Sequence, residues 1–231
     1  MIYAEDSLEM LIAATSTNTN GCYRFTEDED DFRRHGDAYV GQMKSTMGGT
    51  QFHLYDHGIS KSEGGGLLPE IARKQHALLV YATNMLGRVP NAMSLVISRP
   101  GRGGAFYDDE GAGDGGGAAG KAGEKDSSSM YRAYSEIGGK AGGEDFVVVR
   151  TRRPKWNAKM EAWTMDFKGR AKLASKKNFI LTDPNDESDR VLMLFGKVTK
   201  NRWSLDYAPP LNPLTCLFVA LSAFSSKLVV T

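Results

Sequence analysis

The chain from Phe195 to Leu228 reads FGKVTKNRWSLDYAPPLNPLTCLFVALSAFSSKL, and this stretch decides the fold. It predicts a strand, a proline-rich turn and one short helix, with Asn212 as the N-cap and Pro213 at the first helical position. Apolar side chains at the i, i+3, i+4 and i+7 spacing form the predicted core side of this helix: Leu214, Leu217, Phe218, Leu221 and Phe224. The opposite side is apolar as well, so the helix must be buried on every side, in lipid or in protein.

The length of this apolar helix decides between the two surroundings. From Leu211 to Phe224 it is shorter than the ~20 residues that a bilayer span needs, so we expect protein around it and no transmembrane segment. The rest of the chain contains short β-prone runs bounded by Gly, Asn, Asp or Pro, at residues 78–81, 93–97, 146–149, 163–167 and 191–195. Many short strands and one apolar helix predict a closed antiparallel β-barrel with the helix in its lumen.

A series of short motifs runs along the chain. Those near the C-terminus are Phe195-Gly-Lys-Val, Leu205-Asp-Tyr, the Pro-Leu-x-Pro-Leu run and Ala220-Leu-Ser-x-Phe-x-Ser-Lys-Leu. Those upstream are Gly36-Asp-x-Tyr-x-Gly, Gly49-Thr-x-Phe, Tyr55-Asp, Tyr81-x-Thr-Asn-x-Leu-Gly, Trp156-Asn, Asp166-Phe-x-Gly-Arg and Ala174-Ser-x-Lys-Asn-Phe. In this order they closely resemble the C-terminal domain of tubby-like proteins, over about residues 9 to 228.

The resemblance implies a mainly β domain, with about twelve antiparallel strands closed into a barrel around a central hydrophobic C-terminal α-helix. One such domain would occupy residues 1–231. Residues 9–14 resemble the third strand of the family, so we expect the first hairpin to be missing and the domain to be truncated at its N-terminus. Residues 101–143 are dominated by Gly, Ala, Ser and charged residues, and they predict a flexible Gly-rich insert within the domain.

The resemblance also implies a ligand, because the family binds phosphoinositide headgroups, phosphatidylinositol 4,5-bisphosphate above all. The family motif is a strand carrying Gly-Lys-x-Arg, and this chain reads Gly41-Gln-Met-Lys44 there. Residues two apart on a strand share a face, so Gln42 and Lys44 would contact neighbouring phosphates. Gln42 brings no charge and Lys44 lacks the bidentate fork of arginine, so we expect a weakened site.

Two further contact positions of the family fall on Arg73 and Cys22. Arg73 keeps a basic residue, whereas Cys22 replaces an asparagine and is a poor hydrogen-bonding substitute. We expect Lys44 and Arg73 to be surface cations. The phosphoinositide-binding site implied by the resemblance consists of Lys44, Arg73, Gln42 and Cys22.

The resemblance further implies the function of a membrane-tethering adaptor with membrane-protein cargo. It would be cytoplasmic and peripheral at the plasma membrane, and nuclear after hydrolysis of the lipid. Asp6 and Glu9 interrupt any apolar start, so no secretory signal peptide is predicted, and two cysteines argue for a reducing compartment. No catalytic triad, metal-ligand set or cofactor motif stands out, so we expect a protein that is not an enzyme and needs no cofactor.

Two alternatives stay open. A net charge of +1 averages over segments of opposite sign, and the basic segment from Arg150 to Lys177 would suit a nucleic-acid-binding transcriptional regulator. Gln42, Cys22 and the short N-terminus would instead suit a degenerate barrel without a ligand. Selectivity separates these functions, since salt-sensitive binding to any duplex with no preference among lipids favours nucleic acid.

Overall fold

The computed structural model of the protein describes residues 1–17, 21–34, 36–46, 48–60, 71–82, 92–99, 106–107, 129–139, 146–159 and 161–225. Its strands are β1 (Ile2–Tyr3), β2 (Met10–Ser16), β3 (Tyr23–Thr26), β4 (Tyr39–Ser45), β5 (Gln51–Asp56), β6 (Lys74–Tyr81), β7 (Met93–Ser98), β8 (Phe106–Tyr107), β9 (Phe146–Thr151), β10 (Lys155–Asn157), β11 (Ala162–Thr164), β12 (Phe179–Thr182), β13 (Val191–Lys197) and β14 (Trp203–Tyr207). Its helices are α1 (Ser129–Glu136) and α2 (Pro213–Ser222).

Most of the strands form one antiparallel sheet. The hydrogen-bonded order is β1-β2-β3-β4-β5-β6-β7-β9-β12-β13-β14, with β8 paired to β6, while β10 and β11 form a separate hairpin. The prediction of a mainly β, antiparallel fold is therefore confirmed. Among the described residues the hydrogen-bonded path ends at β1 and at β14, so closure of the barrel by a ladder between these two strands is not confirmed.

Ion pairs bring the two ends of the sheet together. The guanidinium of Arg170 lies 2.8 Å from Glu5, which follows β1, and 2.8 Å from Asp206 on β14. Hydrogen bonds to Glu5 and then to Asp206 raise the pKa of Arg170, so the guanidinium stays charged. The sheet therefore curves until its first and last strands lie on either side of one arginine. At the start of the chain, the short strand β1 pairs with β2 where the sequence predicted a missing hairpin.

Helix α2 and the inner face of the sheet share one core. The strands contribute buried side chains that include Phe25, Phe52, Leu54, Leu79, Leu95, Val149, Leu181 and Met193, and α2 contributes Cys216, Leu217, Phe218, Val219 and Ala220. As predicted, Asn212 caps the helix, and its side chain accepts a hydrogen bond from the Thr215 amide at 2.8 Å. The hydroxyl groups of Ser222 and Tyr81 lie 2.8 Å apart, so the last turn of α2 is fastened to β6.

The C-terminal end of α2 differs from the sequence prediction. The helix ends at Ser222 with Ala223 as its C-cap, so Phe224 lies beyond it. Phe224 is 41% exposed and meets the ring of Trp203 edge-on, with the centroids 5.2 Å apart. Its assignment to the helix core is therefore wrong, because the periodicity was extended past the cap. Leu214 and Leu221 are partly buried at the margin of the core.

Helix α1 covers a second apolar cluster on the outer face of the sheet. Met130 is fully buried there against Leu78, Val96 and Val148. This helix falls within residues 101–143, for which the composition predicted a flexible insert. Its apolar residues at helical spacing give these residues something to bury, so this part of the segment packs. Apart from β8 and residues 129–139, the predicted insert lies outside the described residues.

Candidate functional site

The outer face of β3, β4 and β5 carries the predicted headgroup residues of β4. Met43 is 1% exposed and faces the core, so Gln42 and Lys44 on either side of it point away from the core. Gly41 explains how closely β4 approaches β5, because a Cβ at this position would lie 2.2 Å from the Tyr55 carbonyl oxygen. The glycine therefore allows the close approach of β4 and β5 next to Gln42.

Strand pairing places three side chains in a row across this outer face. Gln42 lies opposite Arg24 on β3 and opposite Tyr55 on β5. Directly paired residues of antiparallel strands project to the same side. Their neighbours Phe25 and Leu54 are fully buried in the core, in agreement with this direction. We define the basic face as Arg24, Gln42, Lys44 and Tyr55.

Lys44 is held above a buried aromatic floor. Its Nζ lies 5.5 Å from the centroid of the Tyr55 ring, a favourable arrangement of a cation over an aromatic face. The His53 ring stacks on Tyr55 with centroids 6.1 Å apart, and its Nδ1 lies 2.9 Å from Gln75 Nε2. Because Tyr55 and His53 are buried, the floor beneath the ammonium is rigidly packed.

The Gln42 amide is one of several buried polar groups on these strands. Its Nε2 is buried and has no hydrogen-bond partner among the described residues. Buried amide donors in folded proteins are nearly always paired, so this one is an exception within the sheet. Gln42 is paired with Arg24 across the strands and lies two residues before Lys44 on β4.

Arg73 departs from the prediction that it is a surface cation. It is only 2% exposed, and its Nε donates a hydrogen bond to the Gly58 carbonyl at 3.1 Å. A Cβ at Gly58 would lie 2.6 Å from the Arg73 Cα, so only glycine lets the loop after β5 approach so closely. The prediction of a surface position is wrong, because the turn folds over the side chain.

Three arginines act on one phenol at the start of β4. Burial raises the pKa of the Tyr39 hydroxyl, while the charges of Arg73, Arg34 and Arg24 act in the opposite direction. The three guanidinium groups therefore lie within electrostatic reach of one hydroxyl. Sequence reasoning missed Arg24 and Arg34, because the motif was examined along β4 alone. Arg24 could be found from the strand register, because the pairing of β3 with β4 places it opposite Gln42.

Asp56, a carboxylate that acts on the same phenol, has several hydrogen-bond donors of its own. Asp56 accepts hydrogen bonds from the backbone amides of Gly58 at 2.9 Å and Lys74 at 3.0 Å, and it pairs with His76 Nε2 at 3.3 Å. Burial alone would raise the pKa of Asp56, but these hydrogen bonds outweigh it and hold the pKa below its usual value. The carboxylate is therefore ionised and stabilised by its own donors.

Cys22 precedes β3 and is half-buried. Its carbonyl oxygen accepts hydrogen bonds from the Thr17 amide at 3.0 Å and the Thr17 hydroxyl at 3.3 Å. The thiol is not in a disulfide. The backbone of Cys22 thus closes the β2–β3 turn.

The basic segment from Arg150 to Lys177 makes contacts within the protein. Arg152 pairs with Asp189 at 2.9 Å, Lys168 pairs with Asp166 at 2.9 Å, and Arg170 joins the two sheet ends. Lys177 Nζ donates a hydrogen bond to the Ala223 carbonyl at 2.9 Å, near the end of α2. Several cations of this segment therefore serve the fold, on separate parts of the surface.

The described part of the chain has neither a metal-ligand cluster nor a membrane-spanning helix. It contains no group of His, Cys, Asp and Glu side chains suited to hold a metal ion. It also contains no helix that is long and apolar enough to span a bilayer.

Comparison with known proteins gives matches over nearly the whole chain. The model of the Tub family matches residues 1–226. Tubby-related protein 3 of Homo sapiens is 32% identical over 212 residues, and that of Mus musculus is 30% identical over 208 residues. Protein king tubby 1 of Aedes aegypti is 29% identical over 207 residues. Each match covers 89% of this chain but only 43%, 42% and 45% of the respective relative, so the chain spans less than half of their length.

Proposed function

The chain belongs to the Tub family, and from this membership we propose that it binds phosphoinositide headgroups and tethers other proteins to membranes. Phosphatidylinositol 4,5-bisphosphate is the ligand that the family resemblance implies. The observation that carries the proposal is the outward-facing pair on β4, in which the orphaned Gln42 amide lies next to the Lys44 ammonium. A headgroup phosphate would pair with the Lys44 ammonium, with Gln42 beside it.

Lys44 supplies the charge in this proposal. A hydrogen bond from an ammonium to a phosphate oxygen is shorter and stronger than one between neutral groups. Because Tyr55 supports the ammonium from below, little side-chain freedom would be lost when a phosphate binds. Gln42 would add a neutral donor beside it, which suits a site that is weaker than one with two cations.

Arg73 and Cys22 have smaller roles in the proposed site. The guanidinium of Arg73 is buried behind the loop after β5, so it would act chiefly through its positive charge and by shaping this loop. Cys22 would border the site at the start of β3, where a thiol is a weak donor. The contact to phosphate is therefore assigned mainly to Lys44.

In this proposal the protein is an adaptor and not an enzyme. It would be cytoplasmic and would associate peripherally with the plasma membrane. Cargo would be a membrane protein, and hydrolysis of the lipid would release the adaptor, with the nucleus as a destination. Intramolecular ion pairs in the segment from Arg150 to Lys177 make this segment less suited to a DNA backbone. This favours the lipid over the nucleic-acid alternative.

Vesicle flotation tests the proposal. Phosphatidylcholine vesicles that contain one phosphoinositide each would be compared with vesicles that contain phosphatidylserine at equal surface charge. We expect retention on the bisphosphorylated lipid, and its loss in Lys44→Ala. Lys197→Ala is a matched control, because Lys197 is also a strand lysine near an aromatic ring, 5.8 Å from the centroid of Trp203, on the distant strand β13.

Three other results would contradict the proposal. Equal binding to all anionic vesicles would indicate a general charge effect. Salt-sensitive binding to any DNA duplex without lipid preference would support the transcriptional regulator. A folded protein that binds no phosphoinositide would support the degenerate barrel.

A further inference from the structure

The basic face contains a cation that the sequence of β4 does not reveal. We propose that Arg24, on the neighbouring strand β3, replaces the cation that position 42 lacks, so that Arg24 and Lys44 together hold the phosphates of an inositol headgroup across two strands. The inference rests on the headgroup-binding function proposed above. It adds to that function a specific residue and a different arrangement of charge.

The register of the sheet gives the geometry of this pair. Arg24 lies directly opposite Gln42, and paired Cβ atoms are about 5 Å apart. Lys44 is then the diagonal neighbour of Arg24, at about 7–8 Å. Two residues along one strand are separated by about 6.6 Å. The pair across the strands therefore has nearly the spacing of a pair along one strand.

Burial on β3 shows where the Arg24 side chain points. Phe25 is fully buried in the core, and strand residues alternate in direction, so Arg24 lies on the outer side with Gln42. Arg24 is itself half-buried, so its stem is packed against the sheet. The Arg24 side chain therefore starts from the same sheet face as Lys44, and its charge reaches the phenol of Tyr39.

Arg24 belongs to a group of three arginines near the start of β4. Arg24, Arg34 and Arg73 all act on the phenol of Tyr39. Asp56 is the carboxylate among these groups, and its oxygens already accept hydrogen bonds from two backbone amides and pair with His76. The connection between β3 and β4 brings further carboxylates to this end, Glu27, Asp28, Glu29, Asp30, Asp31 and Asp37, so the assignment rests on the placement of Arg24 and Lys44 and not on net charge.

The guanidinium of Arg24 suits a phosphate better than the lysine that the family motif has at position 42. A guanidinium can donate two parallel hydrogen bonds to one phosphate, whereas an ammonium acts as a point charge. Gln42 is the residue opposite Arg24 and lies two residues before Lys44 on the same face, so it adjoins both cations. The headgroup would thus be centred over Gln42, with one phosphate at Arg24 and another at Lys44.

Moving the charge between the strands tests this assignment in the whole 231-residue chain. The variants are Arg24→Gln, Lys44→Gln, and the double variant Arg24→Gln with Gln42→Lys, which has the same net charge as the unmodified protein. Arg202→Gln is the control, an exposed arginine between β13 and β14. Binding would be measured by flotation with phosphatidylinositol 4,5-bisphosphate vesicles and by calorimetry with soluble inositol 1,4,5-trisphosphate. Circular dichroism melts would confirm folding.

We expect Arg24→Gln to weaken binding of both ligands about tenfold to a hundredfold, as for loss of a hydrogen bond to a charged group. The double variant should recover most of the affinity, and Arg202→Gln should match the unmodified protein. Binding of the soluble headgroup with none to vesicles would still support the pair and identify a free inositol phosphate as the ligand.

The outcomes separate the two proposals. If Lys44→Gln weakens binding and Arg24→Gln does not, the assignment of Arg24 is wrong and headgroup binding stands. Loss of vesicle binding without loss of soluble headgroup binding would show that Arg24 contacts the bilayer surface, which also overturns the assignment. If the double variant binds as weakly as Arg24→Gln, a cation at position 42 cannot substitute for Arg24, and the proposed exchange is excluded. An unmodified protein that binds neither ligand would overturn both proposals.

Discussion

Alkaline pH should destabilise this fold through one thiol in the middle of α2. Cys216 is fully buried in the core that the helix shares with the sheet. Burial raises the pKa of the thiol from an ordinary value of 9.0 to about 12. The unfolded chain therefore loses this proton at a lower pH than the folded protein does. The stabilising effect is complete below pH 9.0 and is lost as the pH rises through about 12.

The magnitude follows from this difference in pKa. One proton that is bound only in the folded state changes the free energy of unfolding by about 1.4 kcal/mol per pH unit. Over the three pH units between 9.0 and about 12, the loss amounts to about 4 kcal/mol. Domains of ordinary size have a total stability of about 5–15 kcal/mol, so the effect is measurable by denaturation.

The variant Cys216→Ala isolates this contribution. It removes the thiol, so its free energy of unfolding should lack the part of the alkaline loss that Cys216 causes. Val219→Ala is the matched control, because Val219 is equally buried in the same helix but does not ionise. Its truncation should lower the stability by a similar amount at every pH.

Urea denaturation followed by circular dichroism, at pH values from 8 to 11, provides the measurement. The difference between Cys216→Ala and the unmodified protein should grow in favour of the variant by about 1.4 kcal/mol per pH unit above pH 9.0. Tyr81, whose pKa burial raises to about 12, is present in both proteins and cancels in this difference. Parallel curves for the two proteins would show that the thiol reaches solvent, and would refute the burial of α2.

Three further predictions concern the core and the site. Leu217→Asp should unfold the domain, because a buried carboxylate without a partner is very costly; a soluble variant with a cooperative melt would contradict this. Arg73→Ala should lower the free energy of unfolding by about 1–3 kcal/mol, since it leaves the Gly58 carbonyl without its donor, whereas Lys44→Ala should change it by less than about 0.5 kcal/mol. Equal melts for these two variants would place Arg73 at the surface. Gln42→Lys should tighten binding to bisphosphorylated vesicles and steepen its salt dependence, and flotation at two ionic strengths would detect no such change if the ligand lies elsewhere.

The sequence predicted the parts of the fold that depend on local patterns. The antiparallel strands follow from short β-prone runs, such as 191–195 within β13. The start of α2 follows from Asn212 and Pro213. The predicted run 163–167 extends beyond β11, which ends at Thr164, because the following turn places Lys168 and Gly169 at positive φ. Local patterns thus locate elements better than they locate their ends.

The rest depends on contacts between segments that are distant in the sequence. Arg73 is buried because the loop at Gly58 folds over it, and no periodicity around Arg73 indicates that loop. Helix α1 packs because Leu78, Val96 and Val148 from three strands form a surface for Met130. The composition of residues 101–143 predicted a flexible segment, because composition carries no information about the apolar surface on which α1 packs.

The basic face shows why a motif examined along one strand is an incomplete test of function. A ligand with two phosphates responds to the distance between two cations and to their direction, whichever strands carry them. When the cation is at Arg24 instead of position 42, its distance to Lys44 changes by only about 1–2 Å. The line between the two cations then runs diagonally from β3 to β4 instead of along β4. A site built in this way should keep its preference for a ring with two phosphates and hold that ring in a rotated orientation. The neutral residue at position 42 then reflects a relocation of charge to Arg24 on the same sheet face. Recovery of binding in the double variant Arg24→Gln with Gln42→Lys would distinguish this relocation from a loss of function.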